Sequence, residues 1–267
     1  MNIPSICAFL LAGAAGLLLP AAHAFEESPA YPERPLPGAQ GRQRALPEHF
    51  SAVSAPAWLH EKPMAEGKVV ELIKASQAGK LDLVKSLLAE GALPNGADEL
   101  GQRPLLAAVA EGHGEIARLL LQRGADPNVK GPQGRTPLGL AAAAGKLGLV
   151  RLLVRYGAEV DARSDNRATA MHEAIRFNHP DIVRVLLSAN PDPERYDREG
   201  LHPLALAAAK GCLACLKNLL DAGISPDLAD RTGLTALYWA RRYDQVLAES
   251  LLVEHGASRE AWPVSVD

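Results

Sequence analysis

The sequence lacks the features that mark several classes of protein. It has three cysteines in 267 residues, and its histidines are spread singly, without the His-x-x-x-His spacing of a metal site. Neither sign of charge is in excess, because 28 Lys and Arg stand against 31 Asp and Glu, a formal net charge of −3. We therefore expect no metal, no cofactor and no nucleic-acid partner.

No catalytic constellation is visible either. The segment from Gly139 to Lys146 superficially resembles a phosphate-binding loop, but it has one residue too many and lacks the following Ser or Thr that would bind magnesium. We therefore predict that the chain is not an enzyme.

Instead, the same residue types recur every 33 residues along the chain, and we call each such set of positions a column. The two apolar columns are Ala75, Ala108, Ala141, Ala174, Ala207 and Ala240, and Leu87, Leu120, Leu153, Leu186, Leu219 and Leu252. Gly occupies a third column, in which Asn190 is the one exception. A period this long indicates a stack of small units.

The third unit shows what each unit contains. A turn at Thr136-Pro137 precedes the first apolar stretch, and Pro suits a first helical position. Gly145 and Gly157 stand where two helices should stop, since glycine adopts the left-handed cap conformation without a steric penalty. Two short helices per unit predict an all-α solenoid of about six repeats with β-turn or hairpin tips, stable only through stacking.

At these residues the chain resembles the ankyrin repeat family. Thr136-Pro137-Leu138 matches the opening of the family pattern, His172 supplies its histidine, and Gly124-Ala125-Asp126 matches its end. Unit one lacks the Thr-Pro turn, His202 replaces the threonine of unit five, and unit four ends in Asn190-Pro-Asp-Pro. Because a residue before proline resists helical geometry, we expect an irregular connection after Asn190.

The segments around the repeats have other compositions. Residues 1–24 contain an apolar run and end in Ala22-His23-Ala24, which is typical of a signal peptide. Residues 25–65 read as a Pro-rich, largely disordered linker, in which Phe50, Trp58 and Leu59 offer a possible cap on unit one. The ankyrin domain is assigned to residues 66–260 and a tail to residues 261–267.

The signal peptide predicts export. With the repeats, it makes the chain resemble exported ankyrin-repeat proteins of bacteria, which implies a periplasmic protein, or alternatively a secreted one. The apolar run is shorter than the ~20 residues of a membrane span. We expect a monomer with no stable membrane span after signal cleavage.

In the ankyrin family the first helices and turn tips form a concave surface that binds protein partners. Carried over column by column, this resemblance implies a partner-binding surface in units four to six, which are rich in Arg and aromatics. Its candidate residues are Arg176, Phe177, Arg198, Lys210, Arg231, Arg242 and Tyr243. A solvated charged face is the alternative. The main hypothesis is a non-catalytic protein–protein interaction scaffold of the bacterial cell envelope.

A second hypothesis rests on Cys212 and Cys215. By column, Cys215 should be buried and Cys212 exposed, and Cys212 lies at a helix start, where the helix dipole favours a thiolate. A core cysteine with an incidental neighbour is one interpretation, and a local disulfide in an oxidising compartment is another. Three residues apart on one helix, their Cα atoms should be ~5–6 Å apart. We expect free thiols or a labile disulfide, without a structural role. The functional alternative is a redox or oxidative-stress-defence accessory protein acting through this pair.

Overall fold

The computed structural model describes residues 62–258. The signal peptide predicted at residues 1–24, the linker up to residue 61 with its proposed cap, and the tail predicted at residues 261–267 lie outside these residues. Within them, the first helix begins at Lys62, inside the segment that the sequence assigns to the linker. At 16 residues this helix is the longest of those described.

Twelve α-helices occur in residues 62–258, two for each of six repeats. The first helices of the repeats are α1 (Lys62–Gln77), α3 (Pro104–Glu111), α5 (Pro137–Ala143), α7 (Ala170–Arg176), α9 (Pro203–Lys210) and α11 (Ala236–Arg242). The second helices are α2 (Leu81–Ala89), α4 (Gly114–Gln122), α6 (Leu147–Arg155), α8 (Pro180–Leu187), α10 (Leu213–Asp221) and α12 (Val246–Glu254).

The first helices and the second helices form two separate rows along the stack. Each first helix packs on the first helix of the next repeat, and each second helix does the same, while the two helices of a repeat also contact each other. All members of the alanine and leucine columns are buried in one continuous core that runs from Leu72 to Ala257. This confirms the all-α solenoid and places its stability in contacts between neighbouring repeats.

The first helices α5, α9 and α11 are each capped by the side chain of the residue that precedes them. Thr136 caps α5, its Oγ1 accepting the backbone N–H of Gly139 at 3.1 Å, and Thr235 caps α11 in the same way. In the fifth repeat the imidazole Nδ1 of His202 takes over this task and accepts from the N–H of Ala205. A histidine therefore forms the capping hydrogen bond that the threonine of the ankyrin pattern would form at this position.

The tips between repeats have one common construction. In each, the N–H at the start of the turn donates to the carbonyl four residues on, as Asp98 does to Gln102 and Asp197 to Leu201. Within residues 62–258 the β-structure is a single bridge between Ala229 and Thr235. The tips are thus tight turns that carry almost no regular strand.

The connection after Asn190 is regular, so the predicted irregularity is wrong. Asn190 has φ 55°, in the same left-handed region as the glycines of its column in the other repeats. The next tip joins its neighbour as elsewhere: the N–H of Asp192 donates to the Asp161 carboxylate, as Glu159 N–H donates to Asn128 Oδ1. Asparagine tolerates this backbone conformation better than most residues, which is why the proline pair does not disturb the stack.

Candidate interaction surface

A row of exposed side chains follows the C-terminal ends of three neighbouring first helices. Phe177 follows the last residue of α7, Lys210 ends α9, and Tyr243 follows the last residue of α11, each 33 residues from the next. Phe177 is 41% exposed and Tyr243 is 54% exposed. Both aromatic side chains therefore lie largely outside the continuous core of the stack. We call Phe177, Lys210 and Tyr243, together with the exposed Arg242, the first-helix row.

Arg176 differs from the rest of the predicted surface. It is half-buried, and its Nη2 donates to Oδ2 of Asp197 at 3.3 Å. Asp197 is almost fully buried in the tip of the next repeat, where its Oδ1 also accepts the N–H groups of Glu199 and Leu201. Arg176, a candidate for partner binding, therefore also neutralises a buried carboxylate of the next repeat.

The turn tips place two further candidate residues in solvent. Arg198 and Arg231 are both exposed, and the Arg231 guanidinium lies over the Tyr196 ring, 5.6 Å from its centroid. The Tyr196 hydroxyl donates to the carbonyl oxygen of Ala229 in the next tip at 3.5 Å. Arg231 is therefore held in place by a cation–π contact across the boundary between two repeats.

An aromatic group supports the C-terminal end of the row. The ring of Tyr243 stacks on that of Trp239, with centroids 6.0 Å apart. The Nε1–H of Trp239 donates to Oδ2 of Asp230 at 2.7 Å. Burial raises the pKa of Asp230, but hydrogen bonds from Thr232, Leu234 and Trp239 outweigh it and hold this pKa below its usual value. Tyr243 is thus fixed at the surface by a ring that is itself anchored on an ionised carboxylate.

Two buried histidines lie beneath this surface, and both have structural roles. His172 Nδ1 accepts from the N–H of Thr169, and its Nε2 donates to the Leu201 carbonyl at 3.1 Å. His202 likewise donates from Nε2 to the Leu228 carbonyl at 3.0 Å. Burial lowers the pKa of both rings, that of His202 to about 4, so both are neutral near pH 7. His172 therefore bonds the backbone of its own repeat and that of the next.

Cys212 and Cys215 form a disulfide. Their Cα atoms are 5.2 Å apart, within the predicted range. Cys215 is fully buried as expected, but Cys212 is only 5% exposed, so its predicted exposure is wrong. Its short side chain turns inward to Cys215 and lies against Asn178 of the preceding repeat, with Sγ 2.9 Å from Oδ1. Lys80 and Lys146, in the same column, have longer side chains that extend into solvent.

The structure also brings together a group of arginines, of which only Arg231 is among the residues predicted from the sequence. Arg163 and Arg167 belong to the tip of the fourth repeat, and Arg195 to the tip of the fifth. With Arg231 they lie close enough that, after burial, the charges of Arg195, Arg167 and Arg231 lower the pKa of Arg163. The sequence contains one signal of this group, since Arg167 stands in a column otherwise held by Gly101, Gly134, Gly200 and Gly233.

Within residues 62–258, no group of three or more His, Cys, Asp or Glu side chains is arranged to hold a metal ion. No helix of these residues has the length and the apolar character needed to cross a membrane.

Models of known protein families match most of the repeat region of the chain. A family model for ankyrin repeats in three copies matches residues 71–131 and 124–197, and a model for the single ankyrin repeat matches residues 199–231. Together these matches cover more than half of the chain, so it belongs to the ankyrin repeat family. Ankyrin repeats mediate protein–protein interactions, and the proteins that carry them are generally non-catalytic scaffolds.

Individual relatives are similar over part of their length. NF-kappa-B inhibitor alpha of Homo sapiens is 35% identical over 97 residues, covering 34% of this chain and 31% of that protein. The B-cell lymphoma 3 protein homolog of Mus musculus is 38% identical over 95 residues, covering 34% and 21%. Ankyrin repeat and SOCS box protein 6 of Mus musculus is 41% identical over 75 residues, covering 27% and 18%. The matched region spans less than a third of each relative, and all three are eukaryotic.

Proposed function

We propose that the chain is a non-catalytic interaction scaffold of the bacterial cell envelope, which binds a protein partner through the first-helix row. The observation that carries this proposal is the alignment of Phe177, Lys210 and Tyr243 on consecutive repeats. Aromatic side chains that are exposed in a free protein, with cations between them, have the composition of interface anchors. In the ankyrin family this is the concave, partner-binding side.

The construction of the row supports this use. Tyr243 is stacked on Trp239, and Trp239 is hydrogen-bonded to Asp230, so the ring loses little conformational freedom when a partner covers it. Lys210 and Arg242 are exposed and form no salt bridge within residues 62–258. The row therefore offers rigid apolar anchors and unpaired cations on one side of three repeats.

The binding part is tested with the chain from Phe25 as bait for an envelope fraction. Phe177→Ala combined with Tyr243→Ala should lose the captured partner, since a buried anchor contributes ~2 kcal/mol or more of binding. The matched control is Tyr156→Ala with Leu247→Ala, which removes two exposed apolar side chains elsewhere. Capture of the same partner by both variants would show that the row is not the interface.

The location is a separate part of the proposal. The apolar run and Ala22-His23-Ala24 support export, and a disulfide is favoured in an oxidising compartment such as the periplasm. Mass spectrometry of the protein from its native host should find Phe25 at the N-terminus, in a periplasmic fraction. An intact Met1 in a cytosolic fraction would exclude it.

The redox accessory function is the weaker candidate. The disulfide between Cys212 and Cys215 favours it, because it is the oxidised form such a protein would need. The burial of both sulfurs opposes it, since thiol–disulfide exchange requires an attacking thiolate to reach one of them. Replacing both cysteines with serine separates the two functions: a scaffold keeps its partner, whereas a redox protein loses its activity.

A further inference from the structure

Four arginines gather on the tips of three consecutive repeats, and we call them the arginine cluster. Arg163 and Arg167 lie on one tip, Arg195 on the next, and Arg231 on the third. Their order follows from the repeat register, because Arg163 and Tyr196 share a column and Arg231 lies over the Tyr196 ring. Arg195 adjoins Tyr196 in the chain. Arg163 lies within electrostatic reach of the other three guanidinium groups, so the four arginines share one edge of the stack.

The cluster carries more positive charge than its surroundings neutralise. Arg195 pairs with Asp192, Nε to Oδ2 at 3.0 Å, and Arg231 is engaged with a ring. Arg163 and Arg167 form no salt bridge within residues 62–258, and the Nε of each is shielded from solvent without a hydrogen-bond partner. A shielded N–H without an acceptor is unfavourable in the free protein, and an anion bound to the guanidinium would supply one.

The backbone of Arg167 provides a second, independent observation. Its φ is 59°, in the left-handed region, where the other tips have glycine at this position. An arginine there is conformationally strained and adds a like charge close to Arg163, so the geometry of the turn does not account for it. A strained backbone at a position where glycine would remove the strain is characteristic of functional sites.

We propose that the arginine cluster binds an acidic segment, rich in Asp and Glu, of the protein partner. This inference rests on the proposed function and adds the chemical class of the partner. Arg163 and Arg167 would each donate to a carboxylate in bidentate geometry, while Arg231, positioned by Tyr196, would contact a third. The segment would lie along the tips, beside the first-helix row.

The probe is a fluorescein-labelled polyglutamate peptide, titrated with the full chain and followed by fluorescence anisotropy. The test variant combines Arg163→Gln with Arg167→Gly, which restores the residue of the other tips. The control combines Arg118→Gln with Arg151→Gln, which removes the same charge from exposed positions on α4 and α6. We expect the test variant to bind about tenfold more weakly or worse and the control to stay close to wild type. Added salt should weaken wild-type binding.

Three results would overturn the proposal: equal losses in both variants, equal binding of a polyglutamine peptide, or tighter binding of a single-stranded DNA of matched charge. Loss of the fold cannot imitate the expected result if thermal melts are recorded alongside. Relief of repulsion and of the left-handed backbone should leave the melting temperature of the test variant no lower than that of the wild type.

The pull-down distinguishes this inference from the function on which it rests. If the partner is lost on changing Phe177 and Tyr243 but kept in the Arg163 and Arg167 variant, the scaffold function stands and the acidic-segment inference is wrong. If the wild-type chain captures no partner, the proposed function is wrong, and the peptide titration still decides whether the cluster binds acidic chains.

Discussion

Arg176, at the end of one first helix, donates to the carboxylate of Asp197 in the tip of the next repeat. The contact joins a helix to a turn across a repeat boundary, and it places a charge pair where one partner is buried and the other half-exposed. A cation that its column assigns to the binding surface thereby also holds two repeats together.

Replacing Arg176 with alanine should therefore destabilise the chain. The Asp197 carboxylate would remain buried with only its backbone hydrogen bonds, and we expect a loss of ~1–3 kcal/mol in the free energy of unfolding, measured in urea. Arg242→Ala is the matched control, because Arg242 holds the same column two repeats on and is exposed; its change should stay within about 0.5 kcal/mol. Equal effects would mean that the pair contributes nothing to stability.

The stacked core predicts that the place of a mutated repeat in the array determines how many repeats are destabilised. Leu153 and Leu252 are both fully buried members of the leucine column. Leu153→Ala, in a middle repeat, should cost ~2–5 kcal/mol through lost burial and the remaining cavity. Leu252→Ala should mainly fray the last repeat, and hydrogen exchange should find repeats one to four still protected. Uniform loss of protection in both variants would contradict a repeat array.

The neutral His202 predicts a loss of stability in acid. Burial lowers its pKa to about 4, whereas an unfolded histidine titrates near pH 6.5. Between these values the unfolded chain binds a proton that the folded chain does not, so stability falls as the pH drops from ~6.5 to ~4, by at most about 3 kcal/mol for this residue. His172, whose pKa is also lowered, acts in the same direction.

His202→Thr tests this origin of the pH dependence. Threonine stands at the same position in the third and sixth repeats and accepts the capping N–H there, so the helix start should be kept. Urea unfolding at several pH values should show a shallower slope between pH ~6.5 and ~4 than in the wild type, with the share of His172 remaining. An unchanged slope would assign the acid sensitivity to other groups.

The disulfide predicts how the two cysteines react. In the native oxidised chain a maleimide should label neither cysteine, because Cys212 and Cys215 are both buried. The sequence alone predicted free thiols or a labile bond; given this burial, we now expect mild reductant to act slowly. The bond closes a loop between residues only three apart, so changing Cys212 to serine and Cys215 to alanine should cost at most about 2 kcal/mol. Rapid labelling of the native chain would show that the thiols are free, and a melting temperature lowered by many degrees would reveal a structural bond.

Much of the fold follows from the sequence by itself. The alanine and leucine columns, repeated without insertion, specify two short helices per unit and the face that each buries, because helices this short are stable only when stacked. Thr136 and Pro137 predict a helix start, and the glycine column predicts the stops. Local chemistry suffices for these elements, since each depends on residues a few positions apart.

The partners of individual side chains were decided by the tertiary structure. Column position places Arg176 on the partner-binding surface and Cys212 in solvent, yet Arg176 contacts Asp197, and Cys212 contacts Cys215 and Asn178. These contacts depend on side-chain length and on the residues that the neighbouring repeat presents, and the repeat pattern does not encode either. The arginine cluster has the same origin: Arg163, Arg195 and Arg231 are scattered along the chain, and stacking alone makes them neighbours.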